Sequence, residues 1–236
     1  MRLIIVDKKI LYILLAVIVA IIVVSLVISF YNRAEETFNM DVYYKGNVDD
    51  KIIAFACNID WGNEFIQPML DIFNEHDIKI TFFVTGRWAK ENPELLKTIY
   101  AEGHEIGNHG YQHLEYDKLN YEKNKEQILT AHDIIKDVLG TEARFFAPPA
   151  GAYNDNTVKA AKDLGYEVIM WSIDTIDWRE DSTKDIIVKR VTEKLHNAAI
   201  VLMHPTGETV KALPEMITYI LDKGYKIGTI SDVVKQ

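Results

Sequence analysis

Two histidines four positions apart are the residues in this sequence whose spacing first suggests chemistry. The segment HGYQH contains His109 and His113, and this spacing brings two imidazoles onto one face of a helical turn. Two imidazoles, one carboxylate and an open position for water are the usual surroundings of a catalytic zinc ion. Asp60, in the segment CNIDWGNEF, is a candidate for the carboxylate ligand. The alternative is that the two histidines cap a helix or bond to carbonyl groups.

A third imidazole follows another apolar run. His204 comes directly after AAIVLM, and Asp174 follows the preceding run of the same kind. We expect Asp174 to orient the ring of His204 and to raise its pKa, so that His204 could act as a general acid. A purely structural histidine is the alternative. Asp177 and Trp178, in DTIDW, could equally form a turn and a core aromatic residue.

These residues need regular elements to position them. Short apolar runs, rich in β-branched and aromatic residues, recur between amphipathic segments: IIAFACN, KITFFVT, HEIGNH, ARFFAPP, YEVIMWSI, AAIVLMH and KIGTIS. Nearly continuous runs of this kind are typical of strands in a parallel sheet that is covered on both faces. Their alternation with helical patterns predicts an α/β fold, a distorted barrel of the (β/α)7 type that is closed or nearly closed.

In such barrels the chemistry lies on loops at the carboxyl ends of the strands. The polar residues just past the runs are Asn58, Asp60, His109, His113, Asp174, Asp177 and His204. We therefore expect them at one rim. The segment APPAGAY, at the same rim, is a rigid turn whose backbone N–H could also stabilise an oxyanion. Four other histidines lie within or beside helical patterns and are predicted to be surface residues: His76, His104, His132 and His196.

Length and charge limit the classes of function. The chain has 236 residues, enough for one sizeable domain and an appendage. Its formal net charge of −9 argues against a nucleic-acid partner, because phosphate binding needs a basic surface. The single cysteine, Cys57, cannot form an internal disulfide. Nothing in the composition indicates an oligomeric state.

The amino end predicts a membrane anchor. Residues 10–30, ILYILLAVIVAIIVVSLVISF, are uncharged and long enough to cross ~30 Å of hydrocarbon as a helix. A cleaved signal peptide is the alternative, although its apolar region is normally only ~7–15 residues long. Basic residues precede the run, and Glu35 and Glu36 follow it. The positive-inside rule therefore places the rest of the chain outside the cytoplasm.

The predicted organisation is that of a single-pass cell-membrane protein. Residues 1–9 form a cytoplasmic amino terminus, residues 10–30 a transmembrane signal anchor and residues 31–50 a linker. Residues 51–236 form the extracytoplasmic domain.

Taken in order, the segments CNIDWG, HGYQH, APPAGAYN, DTIDW and VLMH resemble the motifs of the polysaccharide deacetylases, the NodB-homology domain of carbohydrate esterase family 4. The resemblance covers residues 51–236 and, with the predicted anchor, is greatest to sporulation-associated and cell-wall deacetylases. It implies a (β/α) barrel with fewer than eight repeats. It also implies removal of acetyl groups from N-acetylated sugars with one divalent metal ion, commonly zinc.

The resemblance assigns roles to individual residues. His109 and His113 match the two metal-binding histidines, His204 matches the general acid, and Asp174 matches the aspartate that tunes it. The walls of the acetyl pocket and the oxyanion donor correspond to Leu202, Trp178 and the backbone N–H of Ala150.

Two motifs depart from the family pattern. The usual first motif, TFDDG, supplies a catalytic base and then a metal ligand, whereas here Asn58 stands at the position of the base. A related branch has an Asp-x-Asp-Trp turn, and its spacing makes Asp60 the metal ligand. The third motif usually has an arginine that pairs with the base, but here Ala147 occupies that position and Arg144 comes three residues too early. The base and its partner are thus both absent.

The predicted function is metal-dependent removal of N-acetyl groups from cell-wall glycan, either peptidoglycan or a chitin-like polymer. A side-chain amide cannot accept a proton at neutral pH, but a bound metal can supply hydroxide without a base. Glu64 or Asp177 could act as a base instead. Two alternatives stay open: a metal-bearing glycan-binding or sporulation protein with little turnover, and a hydrolase of another C–N amide.

Overall fold

The structure, a computed structural model, describes residues 9, 17–25 and 42–235. The chain divides into two compact units, residues 1–41 and 42–236. In the first unit residues 17–25 are helical (α1). No helix among the described residues is long and apolar enough to cross a membrane. The predicted anchor, residues 10–30, otherwise lies outside the described residues.

A parallel sheet forms the centre of the second unit. Its strands are β1 (Val42–Tyr43), β2 (Ile52–Ile59), β3 (Thr81–Val84), β4 (Glu105–Asn108), β5 (Phe145–Phe146), β6 (Glu167–Ile169), β7 (Ile173–Asp174), β8 (Ile200–Met203) and β9 (Lys226–Gly228). Their order is β1-β6-β5-β4-β3-β2-β8-β7, and β9 pairs with the first half of β2. Every paired strand runs parallel to its neighbour.

The strands form a half-barrel, consistent with a (β/α)7 fold. β1 and β7 stand at the two ends of the hydrogen-bonded path, so the described strands do not close into a ring. Each of the predicted apolar runs coincides with a strand, and the fifth run covers β6 and the first residue of β7. β1 lies inside the range predicted as a linker, and its pairing of Val42 with Val168 draws that segment onto the sheet.

Most of the helices cover the outer face of the sheet, whereas the last one packs against the inner face. They are α2 (Asn63–Glu75), α3 (Gly86–Glu91), α4 (Pro93–Ala101), α5 (Tyr121–Leu139), α6 (Asp155–Asp163), α7 (Lys184–Thr192), α8 (Gly207–Asp222) and α9 (Ile230–Val233). The segments FIQPMLDIFNEHD, NPELLKTIYAEG and NTVKAAKDLG have the apolar periodicity of helices, and they coincide with α2, α4 and α6. Gly103 and Gly165, which follow α4 and α6, adopt φ values of 86° and 81°, as expected for glycines that end helices.

Side chains of β2 alternate between two apolar clusters, as the period of a strand requires. Phe55 and Cys57 belong to the cluster between sheet and helices, whereas Ala54 and Ala56 belong to the cluster inside the half-barrel. The alternation continues to Asn58, which therefore faces the interior at the carboxyl end of the strand. The small side chains of Ala54 and Ala56 precede it on the interior face of the strand.

His104 was predicted to be a surface residue, and this prediction is wrong because the residue is buried. Its side chain is only 2% exposed and packs against the edges of Phe73 and Phe82. Its Nδ1 accepts a hydrogen bond of 3.1 Å from the backbone N–H of Ile80. Burial lowers the pKa of His104 from 6.5 to about 4, so the ring is neutral at neutral pH.

Candidate active site

A pocket of about 380 Å³ opens at the carboxyl ends of the strands. All the site residues predicted from the sequence line it, together with two further tryptophans: Asn58, Asp60, Trp61, His109, His113, Ala150, Trp171, Asp174, Trp178, Leu202 and His204. The parallel sheet explains why residues as far apart in the sequence as Asn58 and His204 meet here, because the parallel strands end at the same rim.

Asn58 occupies the floor of this pocket and is 5% exposed. Among the described residues its Oδ1 has no hydrogen-bond partner. Ala147, at the position of the family's arginine, is also buried. Arg144 cannot take its place, because it precedes β5 at the opposite end of the strand and its Nε donates a 2.7 Å hydrogen bond to Glu167.

Asp60 follows β2 by one residue, and both its carboxylate oxygens have donors. Thr85 Oγ1 donates to Oδ1 at 2.7 Å, and Arg87 Nη2 lies 2.5 Å from Oδ2. The hydrogen bond to Asp60 raises the pKa of the Arg87 guanidinium. Gly62 continues the turn at φ 85°, and a Cβ there would lie 2.2 Å from the carbonyl oxygen of Pro205. The turn after β2 thus packs directly on the loop after β8.

His109 and His113 lie on the loop after β4 and not on the helical turn that their spacing suggested. Their ring centroids are 5.5 Å apart. Nδ1 of the buried His109 donates to the carbonyl oxygen of Ala147 at 2.7 Å, which leaves the lone pair on Nε2. Burial, followed by the nearby His113, lowers the pKa of His109 to about 3. His109 is therefore a neutral imidazole with a free nitrogen, the form that binds metals.

Backbone contacts hold this histidine loop in place. Gly110, between the two histidines, has φ 74°, and a Cβ there would lie 1.8 Å from the hydroxyl oxygen of the buried Tyr116. The N–H of Tyr111 donates to the carbonyl of Gln127 on α5 at 3.0 Å. A residue with a side chain could not replace Gly110 without displacing the loop.

The partner of His204 is Asp177, and the prediction that Asp174 would orient this ring is wrong. Asp177 Oδ1 lies 2.7 Å from His204 Nδ1, and Oδ2 accepts from the His204 N–H at 2.7 Å and from Thr209 Oγ1 at 2.6 Å. Asp174 instead accepts from Trp171 Nε1 at 3.2 Å and from the N–H of Ile176 at 2.8 Å.

The backbone at Ile176 explains this exchange of partners. Ile176 has φ 52°, a left-handed conformation that β-branched residues rarely adopt. The turn that it makes buries Asp177 beneath His204. The two aspartates of DTIDW are only three positions apart, so no pattern in the sequence distinguishes their environments.

The remaining lining residues form an apolar wall and an open mouth. Leu202 is buried, whereas Trp178 is 59% exposed and is not a core aromatic residue. Trp61 stacks on His204 with ring centroids 6.1 Å apart and planes 5° from parallel. Ala150 has φ 54°, so its peptide adopts an uncommon orientation at the pocket. Trp171 is a site residue that the sequence analysis missed, because it lies within a run interpreted as one strand.

The imidazole and carboxylate groups in the pocket are suitable ligands for a divalent metal ion. Their hydrogen bonds leave the imidazoles available as ligands but occupy the carboxylate. His109 and His113 are adjacent, and the hydrogen bond of His109 to Ala147 is the support that metal-binding imidazoles usually have. The carboxylate of Asp60, however, is bonded to Thr85 and Arg87. Over the described part of the chain, no three His, Cys, Asp or Glu side chains form a group that could hold a metal ion.

Comparisons with known proteins identify the family. The family model for polysaccharide deacetylase matches residues 45–169. YlxY of Bacillus subtilis is 38% identical over 201 residues, which cover 85% of this chain and 63% of YlxY. A peptidoglycan-N-acetylglucosamine deacetylase of Bacillus cereus is 32% identical over 193 residues, which cover 79% of this chain and 90% of that enzyme.

Solved structures agree with this result. BA3943, a CE4 family (carbohydrate esterase family 4) pseudoenzyme from Bacillus anthracis, is 40% identical with a TM-score of 0.79, over 81% of this chain and 68% of BA3943. A BA3943 mutant with restored enzymatic activity is 38% identical, also with a TM-score of 0.79, over 81% of this chain and 70% of the mutant. The match to the family model, the sequence identities and the shared fold lead to one conclusion: this chain belongs to the polysaccharide deacetylase family.

Proposed function

We propose that this protein is a metal-dependent deacetylase that removes N-acetyl groups from cell-wall glycan. The observation that carries the proposal is the pairing of His109 with His113 and of His204 with Asp177 around a single pocket. The peptidoglycan-N-acetylglucosamine deacetylase of Bacillus cereus supports peptidoglycan as the substrate class.

One divalent metal ion, zinc in our proposal, would be held by His109, His113 and Asp60. When bound, such an ion polarises a carbonyl group and lowers the pKa of a coordinated water to ~7. This chemistry matters here because Asn58, at the position of the base, cannot accept a proton.

The other residues of the pocket act on the substrate. The hydrogen bond from His204 Nδ1 to Asp177 leaves Nε2 as the atom that can transfer a proton to the departing amine. In this proposal the N–H of Ala150 donates to the developing oxyanion, and Leu202 contacts the acetyl methyl group, since both residues line the pocket. Asp174 orients the indole of Trp171 at the same wall.

Neither alternative base is suited to that role. Asp177 already accepts three hydrogen bonds and is buried, so its carboxylate is committed to His204 and Thr209. Glu64 is exposed in the first turn of α2, and it is not among the residues that line the pocket.

We also propose that residues 10–30 anchor the protein in the cell membrane, with the domain on the extracytoplasmic side. The length of the apolar segment and its basic flank support this location. Protease treatment of intact cells tests it, because a domain that survives the treatment would contradict the proposed orientation.

A second candidate function is glycan binding with little turnover. Three features favour it: Asn58 replaces the base, Arg87 is bonded to the carboxylate of Asp60, and the chain is 40% identical to a pseudoenzyme. Under this proposal the pocket and its exposed Trp61 and Trp178 still bind an N-acetylated oligosaccharide, but acetate is not released.

Acetate release separates the two functions. Purified full-length protein is incubated with N-acetylglucosamine oligomers or peptidoglycan, with zinc and with a chelator. We expect release that the chelator abolishes and that His204→Gln reduces by at least ~100-fold. Oligosaccharide binding without release would support the second function. Ring-opening hydrolysis of small cyclic amides, without acetate release from acetylated sugars, would support hydrolysis of another C–N amide.

A further inference from the structure

We infer that Arg87, a cation supplied by the protein itself, competes with the divalent metal ion for the carboxylate of Asp60. This competition sets the affinity of the site for the metal. This inference rests on the proposed function, because it assumes that Asp60 is a metal ligand. It concerns a residue to which neither the family motifs nor the sequence analysis assigns a role.

The guanidinium of Arg87 contacts the same carboxylate oxygen of Asp60 that a metal ion would need as a ligand. Arg87 Nη2 lies 2.5 Å from Asp60 Oδ2, and Thr85 Oγ1 donates to Oδ1 at 2.7 Å. The side chain of Asp60 is only 12% exposed, so few further donors can reach it. A metal ion that takes Oδ2 as a ligand therefore competes with Arg87 for that oxygen.

The backbone that positions the histidines also positions Arg87. Its N–H donates to the carbonyl of Tyr111 at 3.0 Å, and the N–H of Gly86 donates to the carbonyl of Gly110 at 2.8 Å. The first turn of α3 is thus bonded to the loop that connects His109 and His113. The contact between Arg87 and Asp60 is built into the same part of the fold as the two imidazoles.

Arg87 can nevertheless leave. Its side chain is 48% exposed, so the guanidinium can move into solvent without losing a buried environment. Exposed ion pairs contribute little, because water screens the charges and the side chain loses conformational freedom. A metal bound by two imidazoles can therefore displace the arginine, but it binds more weakly than it would to a free carboxylate.

The test measures zinc affinity directly, with full-length protein and four forms of the chain. The forms are the unmodified protein, Arg87→Gln, Arg87→Lys and Lys90→Gln. Lys90 is the matched control, because it is an exposed cation on the same helix α3. Zinc is titrated calorimetrically against a competing chelator, and cobalt(II) is titrated with its visible absorption as a second readout. Thermal unfolding of the metal-free forms checks that each variant is folded.

We expect Arg87→Gln to bind zinc about three- to fivefold more tightly, the size that an exposed ion pair of up to ~1 kcal/mol can account for. Lys90→Gln should change the affinity by less than about twofold, because exposed charges that are not in contact with the site are screened. Arg87→Lys should lie between the unmodified protein and Arg87→Gln, since lysine keeps the charge but lacks the planar fork of donors.

Several results would overturn the inference. They are an unchanged or weaker affinity in Arg87→Gln, an equal gain in Lys90→Gln, and no zinc binding by any of the forms. The proposed function fails separately. Tighter zinc binding by Arg87→Gln without acetate release from any form would support the role of Arg87 and contradict deacetylation. Zinc-dependent acetate release with equal zinc affinities in all forms would support deacetylation and contradict the role of Arg87.

Discussion

Nδ1 of His204 lies 2.7 Å from Oδ1 of Asp177, and Asp174, three residues earlier, makes no part of this contact. Asp177 holds His204 by its ring and by its backbone N–H, so one buried carboxylate fixes both the position and the tautomer of the imidazole. The proposed general acid is thus oriented by the second aspartate of DTIDW.

The first prediction compares these two aspartates. Asp177→Asn removes the carboxylate that accepts from His204 Nδ1, so we expect acetate release to fall by about 100-fold or more. Asp174→Asn keeps one oxygen, which can still accept from the N–H of Ile176, and loses the acceptor of Trp171 Nε1. Because His204 is not involved, we expect a loss of less than about tenfold. Initial rates of acetate release measure both. A larger loss in Asp174→Asn would restore the assignment that the family motif suggested.

The second prediction concerns Gly110. Gly110→Ala forces a methyl group to within 1.8 Å of the Tyr116 hydroxyl oxygen, so the free energy of unfolding should fall by ~3 kcal/mol or more. Gly165→Ala is the matched control, because Gly165 also has a positive φ but a Cβ there meets nothing within 4 Å. Gly165→Ala should lower the free energy of unfolding by only ~1 kcal/mol, the cost of a left-handed conformation for a residue with a Cβ. Urea unfolding measures both, and equal losses would contradict the steric explanation.

The third prediction is a dependence of stability on pH that comes from His104. The pKa of this buried ring is about 4, below its ordinary value of 6.5, so only the unfolded chain binds the proton between these values. Folding therefore gains its full stability from the neutral, buried His104 above pH 6.5, and this stabilisation is lost as the pH falls towards 4.

Urea unfolding at pH 7.5 and at pH 4.5 tests this effect. The unmodified protein should lose ~2–3 kcal/mol more over this interval than His104→Gln, in which no imidazole titrates. The difference between the two proteins isolates His104 from the other ionisable groups. Parallel pH profiles would show that protonation of His104 does not limit acid stability.

The fourth prediction addresses the missing base. Asn58→Asp alone places a carboxylate in a position that is 5% exposed, so we expect a less stable protein with little gain in activity. Asn58→Asp combined with Ala147→Arg supplies the partner that the family normally has, and acetate release should rise at least ~10-fold above that of the unmodified protein. If the single variant is as active as the double variant, the arginine is not needed.

Much of the site was predictable because it depends on periodicity. The run IIAFACN predicts a buried strand, and the alternation of that strand alone turns Asn58 towards the interior. Parallel pairing then brings the ends of β2, β4 and β8 to one rim, so Asp60, His109 and His204 had to meet. These conclusions need only the order of apolar and polar residues along the chain.

The contacts made by individual side chains were not predictable in the same way. Asp177 reaches His204 because Ile176 adopts a positive φ, which nothing in its residue type indicates. His104 is buried because Phe73 of α2 and Phe82 of β3 pack against its ring, although Glu102 and Glu105 beside it in the sequence are charged.

Arg87 contacts Asp60 because β3 pairs with β2, so that the first turn of α3, which follows β3, lies beside the end of β2. The sequence by itself determined the strands, their ends and the residues that share the rim, because strand periodicity is local. Only the tertiary structure decided which carboxylate holds His204 and which cation holds Asp60, because hydrogen bonds and ion pairs depend on distances of a few ångströms between separate loops.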